Sequence, residues 1–470
     1  MQTRALRLLT LLAALGGLTS ASDGRAEDAA IARLAEALRF ETVSPADPAD
    51  FDPEPFVAFV AFLAESYPRV HAKLSREIVA EHSLLYSWRG RDANAKPILL
   101  TSHYDVVPVA DDTRAAWREP PFGGVVADGY VWGRGALDDK ASLLATLEAV
   151  ERLLAEGFTP SRTILLAFGH DEEIGGGSGA KGITDLLAAR GVRLGWSLDE
   201  GMAIVSDVLP GMDVPAALIG IAEKGYAEIE ITARAPGGHS SLPPREGAIG
   251  RIARAVIRLE ENPMPANMET IAGRTLDSLA PHVEGFQGQA LRHRRLLGPI
   301  VERILARKPA TDALLRTTTA VTILRGGVKS NVLPHSATAT VNFRLLPGDT
   351  LEAVEAHVRR TVDDPELEIR VLRGSEASRV SSTDSEGYRT LASAISRVFP
   401  DAAIAPGLVL GGTDSKHYAR VADDAYRFGP LELSLEDTKR LHGVNERIAV
   451  SNHARAIDFY ETLIRLASGS

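Results

Sequence analysis

The chain has 470 residues, of which 45% are hydrophobic and 24% charged, as in a globular protein with a large buried core. Its formal net charge is −10 and no Lys/Arg-rich run is visible, which argues against nucleic acid as a partner. The chain has no cysteine, which excludes disulfides, thiolate nucleophiles and cysteine-ligated metal sites. Any bound metal must therefore be held by His, Asp and Glu.

The first 26 residues are typical of a secretory signal peptide. Arg4 and Arg7 form a short basic region, residues 8–18 are almost entirely apolar, and small residues follow. We predict cleavage after Ala21 or Ala26, the alternative being an uncleaved N-terminal helix. The apolar run is too short for a transmembrane span, and no later run of about 18 apolar residues appears. The sequence therefore predicts a secreted or periplasmic protein without a stable membrane span.

Residues 27–222 alternate between helical and buried-strand patterns. The predicted order is helix 29–40, helix 56–67, strand 96–103, helix 141–156, strand 163–168, helix 183–190 and strand 194–198. Such alternation indicates an α/β domain with a mostly parallel central sheet. We interpret this segment as the first part of a catalytic domain.

The pattern changes near residue 223, where strands begin to alternate apolar and polar residues. Residues 223–375 predict a small inserted α+β domain with strands 226–233, 319–324, 337–346 and 367–372 and helices 248–259 and 351–362. Residues 262–318 are a helical insertion within it. The α/β pattern returns over 376–470, with helix 385–398, strand 406–410 and helix 453–467, as the second part of the catalytic domain.

Five short segments carry clustered His, Asp and Glu residues. They are His103 with Asp105, Asp138 with Asp139, His170 with Glu172 and Glu173, Asp199 with Glu200, and His442 with Glu446. Three of them directly follow predicted strands, and sites in open α/β sheets form beyond the carboxyl ends of strands. A divalent metal would bring such groups together.

Two zinc ions need a bridging carboxylate, terminal ligands and a further carboxylate that stays off the metals as a base. Glu172 and Glu173 suit this division, because adjacent side chains point in different directions. Each segment alone has a simpler explanation, such as helix N-capping by Asp138 or Asp139. The five segments together, in order, favour a metal site.

The same segments give the sequence a resemblance to a known family. Gly133-Arg-Gly-Ala-Leu-Asp138-Asp-Lys, Gly169-His-Asp-Glu-Glu173 and Leu198-Asp-Glu-Gly201 are among the matching stretches. They resemble the co-catalytic zinc hydrolases that include aminoacylase, carnosinase, carboxypeptidase G and succinyl-diaminopimelate desuccinylase. The match extends over nearly the whole mature chain. It is strongest to the N-fatty-acyl-amino-acid synthase/hydrolase and Gly-X carboxypeptidase branch.

The resemblance implies a role for each metal-site residue. Asp138 would bridge two Zn²⁺ ions, for which Co²⁺ or Mn²⁺ would substitute. The other implied roles are His103 and Glu200 as ligands of one metal, Glu173 and His442 as ligands of the other, Glu172 as general base, and Asp105 as the residue that orients His103. Asp199 is the alternative to Glu200.

The resemblance also implies that the inserted domain is a lid through which a homodimer forms. His239 would stabilise the oxyanion, often from the partner subunit, and Asn331 and Arg344 would contact substrate from the lid. Gly412 and Thr413 would close around the substrate carboxylate. Ordinary turn or surface chemistry is the alternative for these residues.

The implied activity is cleavage of an amide bond in N-acyl-amino acids, including long-chain ones, that bear a free carboxylate. A carboxypeptidase or dipeptidase acting on short peptides is the alternative, and an inactive lid-fold binding protein is a third hypothesis. The insertion 262–318 suggests an acyl pocket lined by Leu296, Leu297 and Ile300, with ordinary packing as the other use of these residues.

Overall fold

The computed structural model describes residues 24, 26–45 and 47–469. Apart from Gly24 and Ala26, the predicted signal segment 1–26 lies outside the described residues, so its cleavage stays a prediction. Within the described residues, no helix combines the length and apolar character needed to cross a bilayer.

Helices and strands alternate over residues 140–199, as predicted, whereas five strands lie between residues 75 and 132 without an intervening α-helix. The helices are α1 (26–37), α2 (Glu54–Ser66), α3 (Pro68–Lys73), α4 (Lys140–Ala155), α5 (Gly179–Ala189), α6 (Ala248–Glu261), α7 (Ile271–Leu279), α8 (Gly285–Arg292), α9 (Arg294–Leu305), α10 (Pro309–Leu315), α11 (Leu351–Val362), α12 (Glu386–Val398), α13 (Ser415–Tyr418) and α14 (Val450–Ala467). The strands are β1 (Ser75–Val79), β2 (Ser83–Trp88), β3 (Ile98–His103), β4 (Val125–Ala127), β5 (Tyr130–Trp132), β6 (Ile164–Gly169), β7 (Leu194–Asp199), β8 (Ile204–Val205), β9 (Ala216–Glu223), β10 (Gly225–Arg234), β11 (Gly238–His239), β12 (Thr318–Gly326), β13 (Val332–Leu333), β14 (Ser336–Leu345), β15 (Glu368–Ser375), β16 (Ala403–Val409), β17 (Ala422–Arg427), β18 (Glu432–Leu433) and β19 (Arg447–Ala449).

The central sheet confirms the predicted mainly parallel α/β fold. Its strand order is β1–β2–β6–β3–β7–β17–β9–β8–β18, and β16 pairs with β9. The middle strands β6, β3, β7 and β17 are parallel neighbours, whereas β1, β2 and β8 join the sheet antiparallel. Every residue of β3 and β6 is buried, as expected for strands covered by helices on both faces.

Helices cover both faces of this sheet. One face packs against α4, α12 and α14, whose apolar residues join the main core together with β3 and β6. The other face packs against α5 and α13, through a smaller cluster that includes Leu99, Ile183 and Tyr418. The central strands are therefore held on both sides, and their carboxyl ends form a rigid edge.

A second, four-stranded antiparallel sheet has the order β12–β14–β10–β15 and packs against α6 and α11 around its own apolar core. The chain leaves the central sheet after β9 and enters this second sheet at Gly225. A Cβ atom at Gly225 would lie 2.6 Å from the backbone of Ser375 and Ala377, where the chain returns. Only glycine lets the two connecting segments approach this closely.

The helical insertion packs differently from the sequence-based expectation. Its helix α7 lies against β16 of the central sheet, through a cluster that contains Leu276, Leu279 and Ala403, and α8 and α9 contribute Leu291 and Val301 to the same cluster. The acyl pocket suggested for Leu296, Leu297 and Ile300 does not form. Leu297 packs against this cluster, while Leu296 and Ile300 are 83% and 58% exposed. Helical periodicity identifies an apolar face but not the surface that covers it.

Candidate metal centre

Three of the predicted ligand segments meet because their strands are parallel neighbours. His103 is the last residue of β3, the segment ending in Glu173 follows β6, and Glu200 follows β7. Strand β3 pairs with β6 on one side and with β7 on the other, both in parallel. Their carboxyl ends therefore open on the same edge of the sheet, which brings the polar side chains together.

Asp138 lies at the centre of a compact cluster of potential ligands, immediately before α4. Its Oδ1 is 2.9 Å from His103 Nε2, and its Oδ2 is 3.1 Å from His442 Nε2. His442 Nε2 also lies 3.2 Å from Glu173 Oε2. Both carboxylate oxygens of Asp138 thus face a histidine, so this carboxylate stands between two candidate ligands. We call His103, Asp138, Glu173 and His442 the metal cluster.

The donor set of this cluster fits a divalent ion. One ligand atom each from His103, Asp138 and Glu173 lie within 4.8 Å of one another. Glu173 Oε1 is buried and accepts no hydrogen bond from the described residues. Imidazole nitrogen and carboxylate oxygen are ligands that zinc prefers. The N-capping explanation for Asp139 fails, because its side chain makes no capping hydrogen bond to α4.

Asp105 links His103 to the two glutamates. Its carboxylate accepts hydrogen bonds from the backbone N–H groups of Glu172 and Glu173 at 3.2 and 3.1 Å. His103 Nδ1 lies 3.1 Å from the backbone oxygen of Asp105 and 3.3 Å from its Oδ1. A hydrogen bond at Nδ1 leaves Nε2 directed at Asp138, as a ligand histidine requires.

Glu172 and Glu200 complete the acidic group around the metal cluster. Glu172 Oε2 is 4.0 Å from His103 Nε2. Burial raises the pKa of Glu172 well above its usual range, and neighbouring carboxylates raise it further. Burial and the charges of Asp138 and Glu172 do the same to the pKa of Glu200. Carboxylates that raise one another's pKa favour a bound cation, which would neutralise several of them at once.

The structure distinguishes Glu200 from its alternative, Asp199. Glu200 lines the cavity into which the metal cluster opens, together with Asp138, Glu172 and Glu173. Asp199 is turned into the protein, where its Oδ1 accepts a hydrogen bond from the backbone N–H of Glu200 at 3.0 Å. Glu200 is therefore the better placed of the two to reach a metal.

A buried ion pair that the sequence analysis did not assign holds two ligand loops together. Glu446 Oε1 accepts hydrogen bonds from the backbone N–H groups of Leu137 and Asp138 at 2.7 and 3.3 Å. Arg134 Nη1 donates to Glu446 Oε2 at 2.7 Å, and its Nη2 donates to the backbone oxygens of His442 and Gly443. The pair thus fastens the loop of Asp138 to that of His442.

The metal cluster opens into a cavity of about 1500 Å³, whose lining comes from both sheets. Arg344, Gly412 and Thr413, the three residues expected to hold the substrate carboxylate or contact substrate, line this cavity. The guanidinium of Arg344 lies over the ring of Tyr226 at 5.1 Å and has no hydrogen bond to any described residue. The backbone N–H of Thr413 donates to Glu223 at 2.9 Å, which fixes this loop.

His239 and Asn331, which were also predicted to act on the substrate, lie away from this cavity. Both are exposed, next to the short β11–β13 ladder, and neither lines the cavity. His239 Nδ1 lies 2.7 Å from Ser241 Oγ, and the backbone oxygen of Asn331 accepts a hydrogen bond from Ser240. Within one chain these two residues are thus separated from the metal cluster.

Asp414 is a further acidic residue that the sequence analysis passed over. Its side chain is buried, and neither carboxylate oxygen has a hydrogen-bond partner among the described residues. A Cβ atom at Gly176 would come within 1.9 Å of Asp414 Oδ1, so the turn after Glu173 needs glycine there. The sequence could have indicated Asp414, because this residue directly follows Gly412 and Thr413, which were predicted to close around the substrate carboxylate.

Histidines and carboxylates at the carboxyl ends of parallel strands, with the partly buried Glu172 beside them, define a metal-dependent hydrolase of the α/β class. Its particular family follows from comparison with known proteins. The chain belongs to the peptidase family M20/M25/M40, which matches residues 99–466. It is an enzyme of the metallopeptidase type, as the sequence analysis predicted.

The relatives bear two kinds of name, carboxypeptidase and N-fatty-acyl-amino acid synthase/hydrolase. The probable carboxypeptidase S-like 2 of Dictyostelium discoideum is 42% identical over 445 residues, covering 92% of this chain and 84% of that protein. The N-fatty-acyl-amino acid synthase/hydrolase of Mus musculus is 40% identical over 418 residues, covering 87% of this chain and 82% of that protein. An M20 family metallo-carboxypeptidase structure from Sulfolobus solfataricus has a TM-score of 0.64 and 19% identity, and the match covers 93% of this chain and 98% of that one. The last similarity supports the fold.

Proposed function

We propose that the protein is a di-zinc amidohydrolase that cleaves the amide bond of N-acyl-amino acids bearing a free carboxylate. One observation carries this proposal: the metal cluster and the unpaired guanidinium of Arg344 face the same cavity. A planar guanidinium binds both oxygens of a carboxylate at once. The 40% identity to an N-fatty-acyl-amino acid synthase/hydrolase supports this substrate class.

The cavity also suits the acyl side of such a substrate. Met202, Leu314 and Leu408 are among the apolar residues of its lining. An acyl chain would remove these side chains from water, which is favourable in proportion to the apolar area covered. Long-chain acyl groups are therefore our preferred substrates.

His103, Asp138, Glu173, Glu200 and His442 would hold the two zinc ions, and Co²⁺ or Mn²⁺ would substitute for zinc. Bound metal ions supply Lewis acidity, which polarises the scissile carbonyl and makes water more acidic. Glu172 takes the proton from the attacking water and returns it to the departing amine. Asp105 keeps His103 in orientation, while Arg344, Gly412 and Thr413 hold the substrate carboxylate and Asn331 contacts the substrate from the lid.

We further propose that the enzyme is an exported homodimer in which His239 stabilises the oxyanion in the neighbouring subunit. The basic and apolar residues of the first 26 positions support export. Strand β12 supports the dimer, because it pairs only with β14 in the described sheet and leaves Ile323 and Leu324 exposed. An edge strand with exposed apolar residues is a favourable surface for pairing with another chain.

Carboxypeptidase activity on short peptides is the second candidate. The relative of Dictyostelium discoideum that is 42% identical bears a carboxypeptidase name, and a peptide with a free C-terminal carboxylate offers the same anchor for Arg344. An inactive binding protein is disfavoured, since the residues needed for metal binding and proton transfer are all present.

Turnover of three substrates by the zinc-loaded enzyme tests the proposal. We expect N-oleoyl-phenylalanine to be hydrolysed with a higher kcat/KM than N-acetyl-methionine or the dipeptide Gly-Leu. We expect Glu172→Gln to keep its zinc but lose about 10²–10⁴-fold in kcat, because the base is removed. The exposed Glu436→Gln is the matched control and should behave as wild type.

Each outcome has a distinct meaning. A preference for Gly-Leu would move the assignment to a dipeptidase or carboxypeptidase. Near-normal turnover by Glu172→Gln would remove this residue from the mechanism. Zinc content measured on each variant separates loss of the base from loss of the metal site.

A further inference from the structure

The outer face of α9 presents a row of large apolar side chains to solvent. Leu296, Ile300 and Ile304 are spaced four residues apart and are 83%, 58% and 57% exposed. Phe286 on the neighbouring α8 is 83% exposed. Helices of globular proteins normally turn such a row towards the core, and contiguous exposed apolar side chains mark an interaction surface. The opposite side of α9 buries Val301 in the neighbouring apolar cluster, so this helix already has a packed face and the exposed row is a second one.

Exposed basic residues surround this row. They are Arg292, Arg295, Arg303, Arg307 and Lys308, and none forms an ion pair with a described residue. Residues 285–308 contain one acidic residue, Glu302, although the whole chain has a net charge of −10. The basic residues fall in two short stretches, 292–295 and 303–308, which the contact of α8 with α9 brings together. We call Phe286, Leu296, Ile300, Ile304 and these five basic residues the docking face.

The docking face is held rigidly on the protein. The neighbouring Arg294 is buried, and its guanidinium makes two hydrogen bonds of 2.6 Å to the carboxylate of Asp277 on α7. Helix α7 in turn packs on β16 of the central sheet. Arg294 thus anchors the segment and Arg292 donates to the backbone oxygen of Val283 at 3.4 Å, whereas Arg295, Arg303, Arg307 and Lys308 have no side-chain hydrogen bond to a described residue.

We propose that the docking face binds the surface of an anionic lipid bilayer. Apolar side chains interleaved with arginines on one face of a helix suit the boundary between acyl chains and headgroups. There the apolar groups leave water, while the guanidinium groups reach lipid phosphates. The charge is complementary to an anionic lipid and opposite to that of the rest of the chain.

Other occupants fit this surface less well. In a twofold-symmetric contact with a second copy, five unpaired basic residues would face the same five, and like charges repel. A nucleic acid would neutralise the arginines but leave the four apolar side chains in water. The face is also convex along α9, whereas a peptide ligand of this class usually lies in a groove.

The position of the docking face gives it a functional consequence. Helix α9 leads through residues 306–308 directly into α10, whose Ala310 and Leu314 line the cavity of the metal cluster. Binding to a bilayer would therefore place the cavity next to the lipid surface. Lipid binding itself does not depend on which amide the enzyme cleaves.

Co-sedimentation of the full chain with vesicles tests the proposal. We expect the wild type to sediment with vesicles of equal parts phosphatidylcholine and phosphatidylglycerol, less with phosphatidylcholine alone, and less at high salt. The double variant Arg303→Gln/Arg307→Gln should lower the partition coefficient about 30-fold, because each basic residue near an anionic surface contributes about fivefold. The triple variant Leu296→Ser/Ile300→Ser/Ile304→Ser should abolish binding.

Matched controls keep the result interpretable. Val57→Ser removes an exposed apolar residue of α2, and Arg234→Gln/Arg370→Gln removes two exposed arginines of the second sheet. Both should bind vesicles as the wild type does, and thermal unfolding should show that every variant is folded. The proposal is overturned if the wild type fails to sediment with the anionic vesicles, or if both docking-face variants still bind. Light scattering that shows loss of a dimer in the triple variant would also overturn it, since the face would then join two copies.

Discussion

Arg134 and Glu446 act on the metal cluster from outside it. Glu446 holds the backbone of Asp138, and Arg134 holds the backbone of His442, so one ion pair sets the separation of two candidate ligands. Both side chains are almost completely buried, at 4% and 0% exposure. Groups that orient metal ligands commonly change metal affinity about 10–100-fold when they are altered.

We therefore expect Glu446→Gln to bind zinc about 10–100-fold more weakly than the wild type. The substitution keeps the shape of the side chain but removes the charge that faces Arg134. Calorimetric titration of zinc into chelator-treated protein would measure the change, with Glu156→Gln as control, because Glu156 pairs with Arg465 at the surface. A lower melting temperature with unchanged zinc affinity would assign Glu446 a purely structural role.

Among single residues, the sequence predicted those candidate site residues that lie next to a clear strand or helix pattern. His103 ends a buried strand, Glu173 and Glu200 lie just after buried strands, and a strand end is visible in the sequence. The partnership of Arg134 with Glu446 was not predictable, because the two residues are 312 positions apart and no local pattern connects them. The exposed position of His239 within one chain was equally hidden, since it depends on how the second sheet is placed relative to the metal cluster.

Among the elements, α10 is fixed by a residue of the segment that joins the two sheets. Lys224 follows β9 directly, and its Nζ donates hydrogen bonds to the backbone oxygens of Ala313 and Arg316, both at 2.8 Å. These carbonyls lie at the end of α10, where no following turn satisfies them. Lys224 therefore positions the helix that supplies Leu314 to the cavity.

We expect Lys224→Met to destabilise the protein by about 2–3 kcal/mol, because the substitution leaves helix-terminal carbonyls without a donor. It should also raise KM for N-oleoyl-phenylalanine more than for N-acetyl-methionine, since α10 borders the apolar part of the cavity. Steady-state kinetics and thermal unfolding would measure both effects, with the exposed Lys329→Met as control. Equal changes in KM for the two substrates would show that α10 does not contact the acyl group.

The long elements were predictable and their partners were not. The spacing of apolar residues placed α4, α11 and α14 within a few positions, because each has one clear buried face. The β1–β2 hairpin was missed, and the insertion was assigned to the lid rather than to the central sheet. Both errors concern which surfaces meet, which depends on the fold as a whole.

In the molecule as a whole, the proposed dimer would bring His239 of one subunit close to the metal cluster of the other. Besides β12, the outer face of α6 offers Ile249, Ala253 and Ile257 at four-residue spacing, and all three are exposed. A second copy of the chain would cover these residues and the β12 edge together. It would also bring the partner subunit's His239 to the cavity.

Mixing two inactive variants tests this arrangement. His239→Ala and Glu172→Gln should each be nearly inactive alone. After unfolding and refolding together they should recover about a quarter of wild-type activity, because half of the dimers would contain one intact site of two. Each variant refolded alone is the control. Failure to recover activity, with dimers present in light scattering, would show that His239 does not act in the neighbouring subunit.

The metal cluster takes candidate ligands from distant parts of the chain, since His442 lies 304 positions after Asp138. At a synthesis rate of about 5–20 residues per second, this separation corresponds to roughly 15 to 60 seconds on the ribosome. Throughout that interval the growing chain lacks both His442 and the Glu446 that holds Asp138. A chain that crosses the membrane before it folds would therefore complete its catalytic centre only after export. It would not hydrolyse amides inside the cell that produces it.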